Sequence, residues 1–318
     1  MESLHFSLQA TIPVFLLIVL GWIFRRLGLL DQYFCRCSDK LVFRALLPIM
    51  LVCDLAGTDI RHTFDPLFVL FCAGVTTLIF FSLWLIARHA LHDQSLVGEF
   101  VQVSYRSSAA ILGCAIIEGI YGSTGMAPMM IIGSVPLFNI YAVLVLTLEG
   151  PHAKEGAIGV RLKSTLRGVI TNPIILGILV GLMASLLNIT TLSPVLDKTL
   201  TTLSSLATPL ALLSIGASFQ GRRALGHLKL SAAAAGVKLL LLPALFLPLA
   251  LLLGFTDSKL IALIVMLGST STPTCYIMAK NLGHEGALTA SVVVLTTLCS
   301  AFSLTLWIFL ARLGGYLL

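Results

Sequence analysis

Ten apolar runs, each of about 20 residues, follow one another along the chain with short polar or Gly/Pro-rich punctuation between them. Each is long enough to cross ~30 Å of hydrocarbon as a helix, and none alternates apolar and polar residues as a barrel strand does. By number the runs are 6–27, 41–57, 67–87, 96–121, 126–148, 165–187, 196–219, 230–252, 260–282 and 287–310. A chain of 318 residues that is 58% hydrophobic and 11% charged, with a mean hydropathy of +1.01, carries too little charge to clothe a soluble domain. The expectation is an all-α integral membrane protein with ten transmembrane helices.

The net charge of +6 does not indicate nucleic acid, because the basic residues are scattered over short loops without aromatic interleaving. Sorted by side, thirteen Lys and Arg fall on one face and four (Arg61, Lys198, Lys259 and Arg312) on the other. The positive-inside rule then puts both termini on the non-cytoplasmic side of a cell membrane, most simply a bacterial inner membrane. Five of the seven cysteines lie inside apolar runs, and Cys35-x-Cys37 has no partner pair, so free thiols and no bound metal are expected. The first run opens on Glu2 and ends at Arg25-Arg26 without a small-residue cleavage site, which reads as a first span and not as a signal peptide.

The two halves of the chain match at nearly constant offset. Pro48 and Pro209, Cys114 and Cys275, Gly122 and Gly283, and Gly125 and Gly286 are each 161 residues apart; Gly21 and Gly181 are 160 apart. Each half holds five runs, an odd number of crossings, so two similar halves must have opposite orientation in the membrane. The expected organisation is a first five-helix repeat over 1–150, a polar cytoplasmic linker over 151–164 and a second repeat over 165–318, forming one structural unit.

Two runs at matching places are interrupted. Residues 102–122, QVSYRSSAAILGCAIIEGIYG, place Arg106 with Ser107 and Ser108 inside a span, where a charge costs about 2.5–3.5 kcal/mol on insertion scales. Residues 268–283, GSTSTPTCYIMAKNLG, interrupt another with hydroxyls and Pro273, which removes a backbone donor and obstructs the turn before it. Breaks in both would leave backbone groups that lipid cannot satisfy, so they belong at the centre of the bundle. Arg106, Ser107 and Ser108 read either as an anion site at a restarting helix or as a structural arginine that is paired or snorkelling. Thr272, Pro273 and Thr274 read as substrate contacts or as packing groups, as do Asn139 and Asn172. Lys238, Asp54 and Glu118 are candidates for coupling, with snorkelling or a solvated span end as the blander alternative.

Four stretches carry a family resemblance: TNPIILGILVGL (171–182), SPVLDKTLTTLSSLATPLALLSIGASF (193–219), VKLLLLP (237–243) and YRSSAAILGCAIIEGIYGSTG (105–125). Together they resemble the auxin efflux carrier family of permeases, within the wider superfamily of bile acid/sodium symporters. The resemblance implies two inverted five-helix repeats whose fourth and ninth helices are broken and cross near the midplane at the substrate site. It places Pro273 at that crossover and Asn139, Asn172 and Lys238 at family-typical polar positions. It also implies an organic anion as substrate; malate, malonate and auxin are carried by members. Relatives usually read Arg-Ser-Asn where this chain has Arg106-Ser107-Ser108.

The combined expectation is a secondary permease that moves a small organic anion, a mono- or dicarboxylate, by alternating access, with no cofactor. H+ or Na+ is left open as a coupling ion, and a homodimer as an assembly. The chain has no GxxxxGK[ST] loop for direct use of ATP and no HExxH or comparable catalytic set. Two alternatives remain at this point: a sodium-coupled organic anion symporter of the bile acid transporter type, and a sensor that keeps the fold without turnover.

Overall fold

Three helices begin where a short polar residue precedes a proline. Asp65, Asn172 and Ser193 stand before Pro66, Pro173 and Pro194, and their side-chain oxygens accept from the backbone N–H groups of Phe68 (3.0 Å), Ile174 (2.9 Å) and Leu196 (3.2 Å). The proline that follows lacks a donor at a position where none is needed, and its φ already suits a helix. In the computed structural model, which describes residues 2–56, 65–109, 126–149, 171–187, 193–218 and 227–317, every secondary-structure element among the described residues is helical.

In chain order the elements are α1 (Glu2–Arg26), α2 (Gln32–Leu41) running through a π turn (Val42–Leu46) into α3 (Leu47–Ala56), α4 (Pro66–Ala90) and α5 (Val97–Tyr105). There follow α6 (Ala127–Leu148), α7 (Pro173–Leu186), α8 (Pro194–Ser218) and α9 (Leu228–Gly236), the last continuing through a second π turn (Val237–Leu241) into α10 (Leu242–Leu252). The chain ends with α11 (Asp257–Gly268), α12 (Thr274–Asn281) and α13 (Ala287–Leu313). Among the described residues five helices are long and apolar enough to cross a membrane: Pro66–Ala90, Ala127–Leu148, Pro194–Ser218, Leu228–Leu252 and Ala287–Leu313.

The surface of these helices is apolar and the interior holds the polar groups. Leu70, Leu85, Phe302 and Leu313 are exposed, while Glu99, Arg106, Asn139 and Lys238 are buried. A water-soluble fold reverses that arrangement; hydrocarbon as the outer solvent explains it.

Each π turn is followed by a proline one residue into the next helix, Pro48 or Pro243. The wider turn gives the ring room against the carbonyl four residues back. At Pro243 that carbonyl, Leu239 O, loses its helical donor and takes Trp307 Nε1 of α13 at 2.9 Å instead. Asn172 and Pro173 cap and start α7 in the described residues. The run at 41–57 lies in a helix already under way from Gln32.

Packing follows the small residues. An ideal Cβ on Gly216 of α8 would lie 2.0 Å from Ile18 O of α1, and one on Gly21 of α1 would lie 2.3 Å from Leu213 O of α8. On α7, Gly177 and Gly181 approach the backbone of α3 in the same manner, at 2.8 Å from Pro48 and 3.0 Å from Leu51. Thus α1 lies on α8 and α7 on α3, while α4 packs on α6 and α9 on α13. At one end of the bundle Lys259 Nζ meets Asp65 Oδ2 at 2.5 Å, and that ammonium holds the Asp65 carboxyl below the usual carboxylate range.

Candidate functional site

Both interrupted runs are interrupted in the fold. The helix α5 stops at Tyr105 and residues 106–108 are non-helical; α11 stops at Gly268 and the chain does not resume a helix until Thr274. The two breaks lie against each other, since Ser108 N donates to Thr270 O at 3.0 Å. Polar side chains complete the contact: Ser271 Oγ donates to Val103 O at 2.7 Å, Gln102 Nε2 to Cys275 O at 3.0 Å, and Ser107 Oγ to Met266 O. Val103 O and Met266 O stand in last turns, where the helix leaves carbonyls without a donor of its own, and each takes a hydroxyl from the other break, which is what burial away from water demands. The second break is also pinned to α13, whose Thr296 Oγ1 accepts from Ser271 N at 3.1 Å and meets Thr270 Oγ1 at 3.2 Å.

Arg106 lies at the centre of this crossing with 2% of its surface exposed. Its Nη2 donates to Asn139 Oδ1 at 2.8 Å and to Thr274 Oγ1 at 3.0 Å; its Nη1 reaches Met278 Sδ at 2.9 Å and Gln102 Oε1 at 3.4 Å. Asn139 is held in turn by donating to Val135 O at 2.9 Å. These acceptors are all neutral. Among the described residues no carboxylate forms an ion pair with Arg106, and its Nε has no hydrogen-bond partner. A guanidinium buried to this degree is not snorkelling.

A cavity of about 50 Å³ adjoins it, walled by Leu47, Met50, Leu51 and Asp54 of α3, by Val135, Phe138 and Asn139 of α6, and by Arg106, Ser107, Ser108, Ala109, Thr272 and Thr274. That is room for a few water molecules.

The residues singled out by the sequence divide into five sets. Arg106, Ser107, Ser108, Asn139, Thr272 and Thr274 come together at the cavity, with Asp54 across from them. Pro273 stands before the first turn of α12, shaping the second break without lining the cavity. Asn172 is buried away from it and caps α7. Lys238 is fully buried and joins the crossing from the second π turn, described below. Glu118 and Cys114 lie outside the described residues.

Sequence reasoning missed Glu99. Its carboxylate, 1% exposed, accepts from Gly286 N (2.8 Å), Thr289 N (3.0 Å) and Thr289 Oγ1 (2.8 Å), and so caps the start of α13 from α5. A glutamate near the end of an apolar run looks like a solvated span end. Only the position of α13 separates the two.

The chain compares with known proteins along nearly its whole length. A family profile described as membrane transport protein matches residues 6–308. A protein described as an uncharacterized transporter, from Methanothermobacter thermautotrophicus (strain ATCC 29096 / DSM 1053 / JCM 10044 / NBRC 100330 / Delta H), is 21% identical over 308 residues, covering 95% of this chain and 97% of that one.

Proposed function

The chain belongs to the membrane transport protein family, and from that premise we propose that it is a secondary permease carrying a small organic anion, a mono- or dicarboxylate, by alternating access around the Arg106 crossing. The observation that carries this reading is a buried guanidinium whose described partners are all neutral, lining a cavity where two helices are broken. A fork of N–H donors suits a carboxylate, and an excess positive charge in low dielectric favours an anion as its missing partner. Ser108, Asn139, Thr272 and Thr274 would supply the remaining hydrogen bonds; Asp54 is a candidate for proton coupling.

The proposed architecture is ten helices in two inverted repeats, 1–150 and 165–318, joined by a linker over 151–164. The packing supports it: a two-fold relation that exchanges the halves turns the α1–α8 pair into α7–α3 and the α4–α6 pair into α9–α13. The cavity lies between α3 and the crossing, so alternating access would move α3 against the crossing. That moving face is tied by Ser214 Oγ of α8 donating to Asp39 of α2, and by Asn281 Nδ2 of α12 donating to Asp39 O at 3.3 Å.

Purified protein in liposomes is expected to move at least one labelled member of a mono- and dicarboxylate panel down its gradient. Binding without flux would replace the permease with a sensor, and neither binding nor flux would end the anion reading. Both termini are placed on the non-cytoplasmic side by the charge bias of the loops. In a variant keeping Cys37, which is exposed in the middle of α2, as its one thiol, a membrane-impermeant maleimide should label broken cells and not intact ones. Labelling of intact cells would reverse the orientation.

A further inference from the structure

Lys238 is the one fully buried lysine among the described residues, and the anion site does not use it. It lies on the π turn Val237–Leu241, which directs it at the backs of both breaks. Its Nζ donates to Tyr105 O at 3.0 Å, to Met266 O at 3.2 Å and to Ser107 Oγ. The three protons of the ammonium thus meet three oxygens. Two of these are carbonyls in the last turns of α5 and α11, whose usual acceptor role ends with the break. Each helix end carries roughly half a negative charge, and two such ends together match one cation. Among the described residues no carboxylate pairs with Lys238. The ammonium is balanced by helix ends and a hydroxyl, a set of hard oxygens that is also the donor set for a small monovalent metal ion.

We propose that Lys238 is a built-in cation, occupying with its ammonium the position at the two helix ends where a sodium-sized ion would otherwise bind, so that anion transfer around Arg106 proceeds without a sodium ion. The flux side of this inference rests on the permease reading. The binding side does not, because it concerns only what fills the space behind the crossing. The tether also has a geometric role: Ser107 Oγ, between Lys238 Nζ and Met266 O, fixes the residue next to Arg106. Lys238 is in this sense a positioning residue for the guanidinium.

Truncation to alanine removes the atoms of an n-propylammonium ion, which makes that ion and sodium the natural probes. The wild type should show the same melting temperature and the same flux in sodium chloride and in choline chloride. Lys238→Ala should melt lower than wild type in choline and recover by about 3 °C or more when sodium or n-propylammonium is supplied, because a ligand that binds only the folded state raises its stability. Lys238→Met, which fills the space without charge, should show no such recovery and should lose most of its flux. The inference is overturned if wild-type flux collapses when choline replaces sodium, if Lys238→Met transports like the wild type, or if Lys238→Ala melts identically in sodium, n-propylammonium and choline. Should the wild type move no anion at all, the permease reading falls, and the melting comparison still decides for or against Lys238. Should Lys238→Ala not fold in choline, its recovery in sodium or n-propylammonium during purification is the supporting result, and failure in all three salts is the contrary one.

Discussion

Arg106→Ala is expected to abolish anion flux in protein that inserts and folds, with a loss of about a hundredfold or more, while Arg106→Lys keeps part of it. Truncating one member of a buried, hydrogen-bonded charge pair costs about 2–5 kcal/mol, and each 1.4 kcal/mol is tenfold in affinity. A substrate carboxylate facing alanine would enter a desolvated cavity with hydroxyls and an amide but no cation, so the loss belongs at the upper end of that range. Lysine restores the charge as a point donor without the planar fork, and it cannot reach Asn139, Thr274 and the anion together. The measurement is initial uptake into liposomes at matched protein density, with melting temperature recorded alongside. Removal of Arg106 also deprives Asn139 Oδ1 and Thr274 Oγ1 of a donor, so a modest fall in stability is expected and does not by itself count for the site. Wild-type uptake by Arg106→Ala would remove Arg106 from the substrate site.

Gly216→Ala is expected to give the largest loss of stability from a single methyl group. The added Cβ would meet backbone on all sides: Ile18 O at 2.0 Å, Ile18 C at 2.9 Å and Trp22 N at 3.0 Å. Backbone in a helix cannot step aside as a side chain can, so α1 and α8 must separate over their whole contact. Overpacking of a core costs about 1–3 kcal/mol and more where nothing can yield, and ~3 kcal/mol or above is expected here. Gly74→Ala on α4 is the control. Nothing lies within 4 Å of the added atom, and alanine is the better helix former by roughly 0.5–1 kcal/mol. Thermal unfolding in detergent should place Gly216→Ala several degrees below the wild type and Gly74→Ala at or slightly above it. Equal melting of Gly216→Ala and wild type would mean that α1 and α8 do not approach as closely as described.

Much of this was legible before any coordinates. Arg106 and the Ser/Thr/Pro cluster at 269–274 marked the two breaks because their chemistry is incompatible with an unbroken span in lipid, whatever the neighbours are. Lys238 was undecidable: an ammonium on an apolar helix snorkels or is buried according to what lies across from it, and here that is backbone oxygen of two helices 133 and 28 residues away. Backbone carbonyls leave no trace in composition. The same holds for Glu99, whose partners Gly286 and Thr289 are nearly 190 residues off.

The sequence by itself determined the solvent, the helical class and the two places where the helices must break, because these depend on residues near one another in the chain and on the cost of bare polar groups in hydrocarbon. Tertiary structure alone decided that the breaks bond to each other through Ser108 and Thr270, that Arg106 faces a cavity with neutral partners, and that Lys238 closes the oxygens behind it. Those are pairings between groups far apart in the chain. Packing decides them, as Gly21 and Gly216 do by letting two backbones meet where any side chain would hold them apart.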